Sequence, residues 1–160
     1  MTVLVDTSAF FALLDVDDDD RARAEAALQQ LQSDDEPLLT HEYVVVETIS
    51  LVQRRLGMGA LRRFLDDLLP LVEIEWVDPG LHAAAREAML GAGQRGVSLV
   101  DWTSFLVMRR RGIRTAFAFD DDFAAQGFQT LPGMTAGLVG GPPSPGDSRT
   151  RSRPALESSE

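Results

Sequence analysis

Short apolar runs alternate along this chain with longer segments of helical period, and that alternation restricts the possible folds more than any other feature. Val3-Leu4-Val5 is too short for a helix and mostly β-branched, so it predicts a buried strand. Helical signals follow from Ser8 to about Asp15 and from about Asp18 to Gln32, where Ala24, Ala27, Leu28 and Leu31 recur at helical spacing. Pro37-Leu38-Leu39 predicts a second strand, and Thr40 is placed to cap a helix running to about Arg55. Gly57 and Gly59 break the chain. Leu61, Phe64, Leu65, Leu68 and Leu69 then share one face of a helix that ends at Pro70. Within Leu71 to Val77 the residues Val72, Ile74 and Trp76 alternate as in a strand. Asp78 at a cap and Pro79 in the first turn open a helix carrying Ala83 to Leu90, which stops at Gly91 or Gly93. Ser98 opens another that runs to Arg111, with Gly112 behind it. Thr115 to Phe119 predicts a strand, Phe123 to Gln126 a short helix, and Phe128 to Leu131 a last short strand.

Strands that alternate with helices imply an α/β class: a parallel sheet of four to five strands covered on both faces. The folded body is expected over residues 1–135. From Gly140 onward the chain is Gly, Pro, Ser, Arg and acid, a composition unable to bury a core, so residues 141–160 are expected to be a disordered tail. No internal repeat is present.

The chain has no cysteine, which excludes a thiolate metal site and a cysteine nucleophile. No basic leader and no run of about 20 apolar residues is found, so a cytoplasmic protein that does not enter a membrane is expected. The net charge is −10, and all fifteen cations are arginine. The tail from Gly141 balances three arginines against three acids, so the excess acid lies in the body. A simple nucleic-acid binder would be basic. Acid in excess fits a solvated surface or a site that collects cations.

Four acids stand out by position. Asp6 ends the first strand, and Asp120 ends a later one in Ala-Phe-Ala-Phe-Asp. In a parallel sheet both leave at the C-terminal edge, where open α/β sheets place their ligands. Capping of the next helix explains either residue alone equally well. Glu47 shares a helix face with Val44, Thr48 and Leu51, where a carboxylate is costly unless paired with Arg54 or Arg55 or bound to an ion. Asp101 follows Ser98 by three residues, a capping-box spacing, yet Val97, Ser104, Phe105 and Met108 share its face. Two carboxylates about 5 Å apart repel by roughly 3 kcal/mol at an effective dielectric near 20. Protons or divalent cations must relieve such a cluster, and oxygen ligands without cysteine suit Mg²⁺ or Mn²⁺.

The ordered set Asp6-Thr7-Ser8-Ala9, Glu47 in a Val-rich helix, Ser98-x-x-Asp101-x-x-Ser104-Phe105 and Phe119-Asp120-x-x-Phe123 resembles the PIN-domain family, and most of all its VapC-type toxins. The resemblance spans about residues 1 to 135. It implies a three-layer α/β/α fold and a divalent-metal-dependent endoribonuclease, the toxin of a toxin–antitoxin pair. It assigns Asp6, Glu47, Asp101 and Asp120 to the acidic metal site, with Asp6, Asp101 and Asp120 as direct ligands. Glu47 would bind a second ion or hold its water. Thr7 would support the first acid and Ser104 the third. Asp121 and Asp122 compete with Asp120 for the fourth place. The implied partners are an RNA substrate, a cognate antitoxin and a second copy of the chain. Phosphate contacts are expected from Arg95 and from Arg109 and Arg110 in the run ending at Arg111, although cations also favour a helix C-terminus on their own account.

Other chemistries fit less well. His41-Glu42 begins like a zinc-protease motif, but Val45 stands where the second histidine belongs. A haloacid-dehalogenase-like phosphatase needs a second Asp where Ser8 stands, and a phospho-acceptor module needs a lysine that the chain lacks. A PIN scaffold that binds RNA without cutting it is the remaining alternative, and the full set of acids argues against it.

Overall fold

The computed structural model describes residues 1–133. The tail expected over 141–160 and the last two residues of the expected body, 134–135, lie outside the described residues.

Five parallel strands form the central sheet: β1 (Val3–Val5), β2 (Leu38–His41), β3 (Glu73–Glu75), β4 (Thr115–Phe117) and β5 (Gln129–Leu131). Their order is β3-β2-β1-β4-β5. The chain winds outward from β1 to β3, returns to the other side of β1, and winds outward again through β4 to β5. The direction of winding therefore changes between β1 and β4, and their C-terminal ends flank the crevice that such a reversal leaves open.

Alternation along the strands feeds two separate cores. Val3, Val5 and Phe117 pack with Phe10, Leu31, Val44, Val52 and Phe64 beneath α1 (Thr7–Leu14), α2 (Arg21–Ser33), α3 (Glu42–Arg55) and α4 (Gly57–Arg63). Leu4, Leu39 and Ala116 face the other way, toward α5 (Pro79–Ala92), α6 (Leu99–Arg111) and α7 (Asp122–Ala125), where Phe105, Met108 and Phe123 fill the space. The result is the expected α/β/α sandwich. Each fully buried phenylalanine stabilises it by roughly 1.5–3 kcal/mol. No helix among the described residues is long and apolar enough to cross a membrane.

Several local expectations are corrected. Thr40 does not cap α3. Its hydroxyl donates to the Val5 carbonyl at 2.9 Å, which keeps it in β2 and leaves His41 at the cap position. α2 starts at Arg21 rather than Asp18, because Asp15 and Asp18 accept hydrogen bonds from the amides of Asp17 and Asp20 and hold the acidic run in turns. Gly57, at φ +82°, does turn the chain, but Gly59 lies inside α4. The helix beyond α4 continues as a wide turn over Phe64–Leu68 and a tight one over Leu69–Leu71, so Pro70 falls within helical structure rather than ending it. β3 is an edge strand shorter than the apolar alternation implied, and Trp76 beyond it is 71% exposed. β4 stops at Phe117, so Asp120 lies three residues past the strand rather than directly after it.

Candidate functional site

Asp6 leaves the central strand at the point of reversal. Its amide still donates to the Phe117 carbonyl at 3.0 Å, so the residue is fixed to β4 as well as β1. Its carboxylate caps α1, accepting from the Ser8 amide at 3.0 Å and the Ser8 hydroxyl at 2.7 Å. The same hydroxyl accepts from the Phe119 amide at 3.0 Å. Ser8 thus ties the first acid to the segment that carries Asp120. Capping and a place in the cleft are not alternatives for Asp6; it does both.

Asp101 arrives from the other side of the sheet, in the first turn of α6. The capping box is complete: its Oδ2 accepts from the Ser98 amide at 2.7 Å and the Ser98 hydroxyl at 2.8 Å, while the Asp101 amide donates to that hydroxyl at 3.1 Å. The serine bonds to Asp6 and Asp101 both fall on Oδ2, which leaves the other oxygen of each carboxylate outside these bonds. Asp120 lies on the bend before α7, accepting from the Asp122 amide at 3.2 Å. One carboxylate oxygen from each of Asp6, Asp101 and Asp120 lies within 4.8 Å of the other two. Of the three consecutive acids, Asp120 joins this cluster; Asp121 and Asp122 do not.

Glu47 shares the cleft but not the cluster. It pairs with neither Arg54 nor Arg55; its Oε2 accepts from Thr7 Oγ1 at 2.6 Å, and Thr48 backs that hydroxyl at 3.4 Å. Thr7 therefore supports Glu47, and Ser8 supports Asp6. The cleft, about 440 Å³, is lined by these acids together with Ser50, Leu51, Arg54 and Ser98.

The electrostatics follow from this packing. Asp6 is only 3% exposed. Burial, then the charges of Asp120 and Asp101, push its carboxyl up to about 7 against the lowering effect of the Ser8 bonds. Asp120 is raised by burial and by Asp101, and Asp122 by burial and by the charges of Asp101 and Asp121. A divalent cation placed among these oxygens would compensate several charges at once, where a proton neutralises one. The donors are hard oxygens, and Mg²⁺ or Mn²⁺ fits them.

Some predicted site residues lie elsewhere. The Ser104 hydroxyl is fully buried and bonds His41 Nε2 at 2.8 Å rather than supporting Asp101; burial lowers the His41 pKa to about 4. Arg109 and Arg110 sit at the C-terminal end of α6, roughly 12 Å along the axis from Asp101 at 1.5 Å per residue. Arg109 donates to Gln126 and lies over Phe128, and Arg110 pairs with Asp78. Arg95 is exposed on the turn before α6 and does not line the cleft. Sequence reasoning missed the bridging role of Ser8, whose only signal is a hydroxyl two residues after a capping acid. It also missed Arg54 as a wall of the cleft, signalled only by a spacing of seven from Glu47 on one helix.

The family model described as the PIN domain matches residues 3–129. The 23S rRNA-specific endonuclease VapC20 of Mycobacterium tuberculosis is 38% identical over 127 residues, 79% of this chain and 95% of that protein. The crystal structure of Mycobacterium tuberculosis VapC20, described as a sarcin-ricin loop cleaving toxin, superposes with a TM-score of 0.69 at 36% identity, covering 79% of this chain and 95% of that one. FitAcB from Neisseria gonorrhoeae gives a TM-score of 0.59 at 20% identity over 81% of this chain and 96% of its own, a likeness of fold.

Proposed function

Because the chain belongs to the PIN-domain family, we propose that it is a divalent-metal-dependent endoribonuclease whose active site is the cleft at the β1–β4 reversal. The observation that carries this reading is the meeting of three carboxylate oxygens within 4.8 Å, contributed by elements 95 and 19 residues apart in the chain. Asp6, Asp101 and Asp120 would hold the cation, aligned by the Ser8 and Ser98 hydroxyls. When bound, Mg²⁺ or Mn²⁺ supplies screening of the phosphodiester charge and activation of water. Glu47, held from behind by Thr7, offers its second oxygen to a water or a second cation at the same wall. Hydrolysis by this route leaves a 5′-phosphate and a 3′-hydroxyl.

The similarity to a 23S rRNA-specific endonuclease supports ribosomal RNA as the first substrate to test. It also supports a toxin role with a cognate antitoxin. Val46, Met58, Leu65 and Leu71, apolar and exposed along α3 and the helical turns that follow, support a surface for that antitoxin or for a second copy of the chain. The test is RNA cleavage by purified protein with Mg²⁺ or Mn²⁺. We expect loss on chelation and loss in Asp6→Asn; cleavage that survives the substitution belongs to a contaminant and overturns the assignment.

A further inference from the structure

The acidic cleft has one basic residue in its lining, Arg54. Glu47, Ser50, Leu51 and Arg54 follow one another at helical spacing, so a single face of α3 leads from the acids to the guanidinium. Seven residues separate Glu47 from Arg54, about 10.5 Å along the axis and nearly two full turns. Helical side chains lean toward the N-terminus, which tilts Arg54 back toward the acids.

Several arginines are engaged elsewhere, and Arg54 is distinguished by its place in the cleft with its guanidinium uncommitted. Arg21, Arg23, Arg110 and Arg111 are held by carboxylates, Arg63 by the Leu14 carbonyl and Arg109 by Gln126. Among the described residues Arg54 has no ion pair and no side-chain hydrogen bond, although acids line the same cleft. On the opposite side of Glu47 the surface is Tyr43, Val46, Leu99 and Val100, which offer no charge to a phosphate. An anion extending from the acidic cluster along α3 meets Arg54 uncommitted, whereas Arg23, in the recess beside Asp120, is paired with Asp20.

We propose that Arg54 binds the phosphate adjacent to the one being cut, and so sets the direction in which the RNA strand crosses the cleft. The inference rests on the nuclease reading above. A guanidinium takes two phosphate oxygens in parallel, which a lysine cannot reproduce. Arg54 acts on substrate binding and register; the acids act on the chemistry.

The experiment uses an oligoribonucleotide cut by the unsubstituted protein, together with two versions carrying one neutral methylphosphonate, placed on either side of the scissile phosphate. Arg54→Ala is expected to raise KM about tenfold with kcat changed less than twofold, and Arg54→Lys to recover part of the loss. The methylphosphonate on one side should weaken binding to the unsubstituted protein by a similar factor and cost Arg54→Ala nothing further. Arg55→Ala, whose side chain lines a separate recess beside Asp15 and Asp17, serves as the charge-matched control and should leave KM unchanged. Matched melting temperatures exclude misfolding. An unchanged KM in Arg54→Ala, a KM equally raised in Arg55→Ala, or additive losses from Arg54→Ala and both methylphosphonates overturns the proposal while leaving the nuclease reading intact. Absence of cleavage by the unsubstituted protein overturns the nuclease reading itself.

Discussion

Single residues at this site carry opposed demands. Asp6 is stabilised as an anion by two Ser8 bonds and destabilised by burial and two neighbouring acids, and the second set prevails. Asp6→Asn keeps an acceptor for the α1 cap and removes the charge. In the metal-free protein above pH 7 it should raise stability by about 2–4 kcal/mol, or about 4–16 °C in Tm, checked by thermal melts in chelator. Loss of a residue behind a metal ligand costs about 10–100-fold, so loss of a ligand should reduce RNA cleavage by more than about 100-fold. Ser8→Ala acts through its neighbours: the Phe119 amide loses its acceptor and Asp6 loses a donor. A cost of about 1–3 kcal/mol in stability is expected, with the Asp6 carboxyl titrating higher in carbon-detected NMR. Asp6, Asp101 and Asp120 were legible because each stands close to a strand end or a helix start, and Glu47 because it shares a helix face with Val44, Thr48 and Leu51. Ser8 was not, because its second partner is 111 residues away.

At the scale of elements, legibility follows the range of the interactions that set each boundary. α5 and α6 start and stop as the sequence predicts, because Asp78-Pro79, the Ser98–Asp101 box and the glycine caps Gly93 and Gly112 are local devices. Thr40 was misplaced because a carbonyl from another strand claims its hydroxyl. Trp76 was misread because alternation does not reveal that β3 lies at the edge of the sheet. The α6 capping box is also the scaffold of a candidate ligand, so one substitution separates its roles. Ser98→Ala removes the cap at about 1 kcal/mol and frees Asp101 Oδ2 from its hydroxyl donor. Ser98→Thr restores cap stability. If Ser98 only caps α6, cleavage should follow Tm across the two variants. If it also aligns Asp101, Ser98→Ala should cleave RNA about tenfold more slowly at temperatures where it is fully folded.

The whole molecule brings together acids that repel, and its pH dependence should reveal what relieves them. Folding raises the Asp6 carboxyl from 3.8 to about 7, so across that interval the folded state binds more protons than the unfolded chain. By linkage this contribution falls as pH rises from about 4 and is lost by about 7, with Asp120 and Asp122 shifted in the same direction. Burial lowers His41 from 6.5 to about 4, so there the unfolded chain binds more protons and the contribution rises over nearly the same window. The two opposing slopes make the metal-free stability curve shallow between about pH 4 and 6.5, and the curve alone does not expose the acidic cluster. The difference between Asp6→Asn and the unsubstituted protein does, because His41 is common to both. That difference should grow with pH from about 4 and flatten near 7, read from urea denaturation at each pH. A divalent cation at 100 times its Kd adds about 2.7 kcal/mol to the unsubstituted protein. The gain should be largest above pH 7, where Asp6 has lost its proton, and should nearly vanish in Asp6→Asn. Were Mg²⁺ and Mn²⁺ to stabilise both proteins equally, the crevice between β1 and β4 would not be where the ion binds.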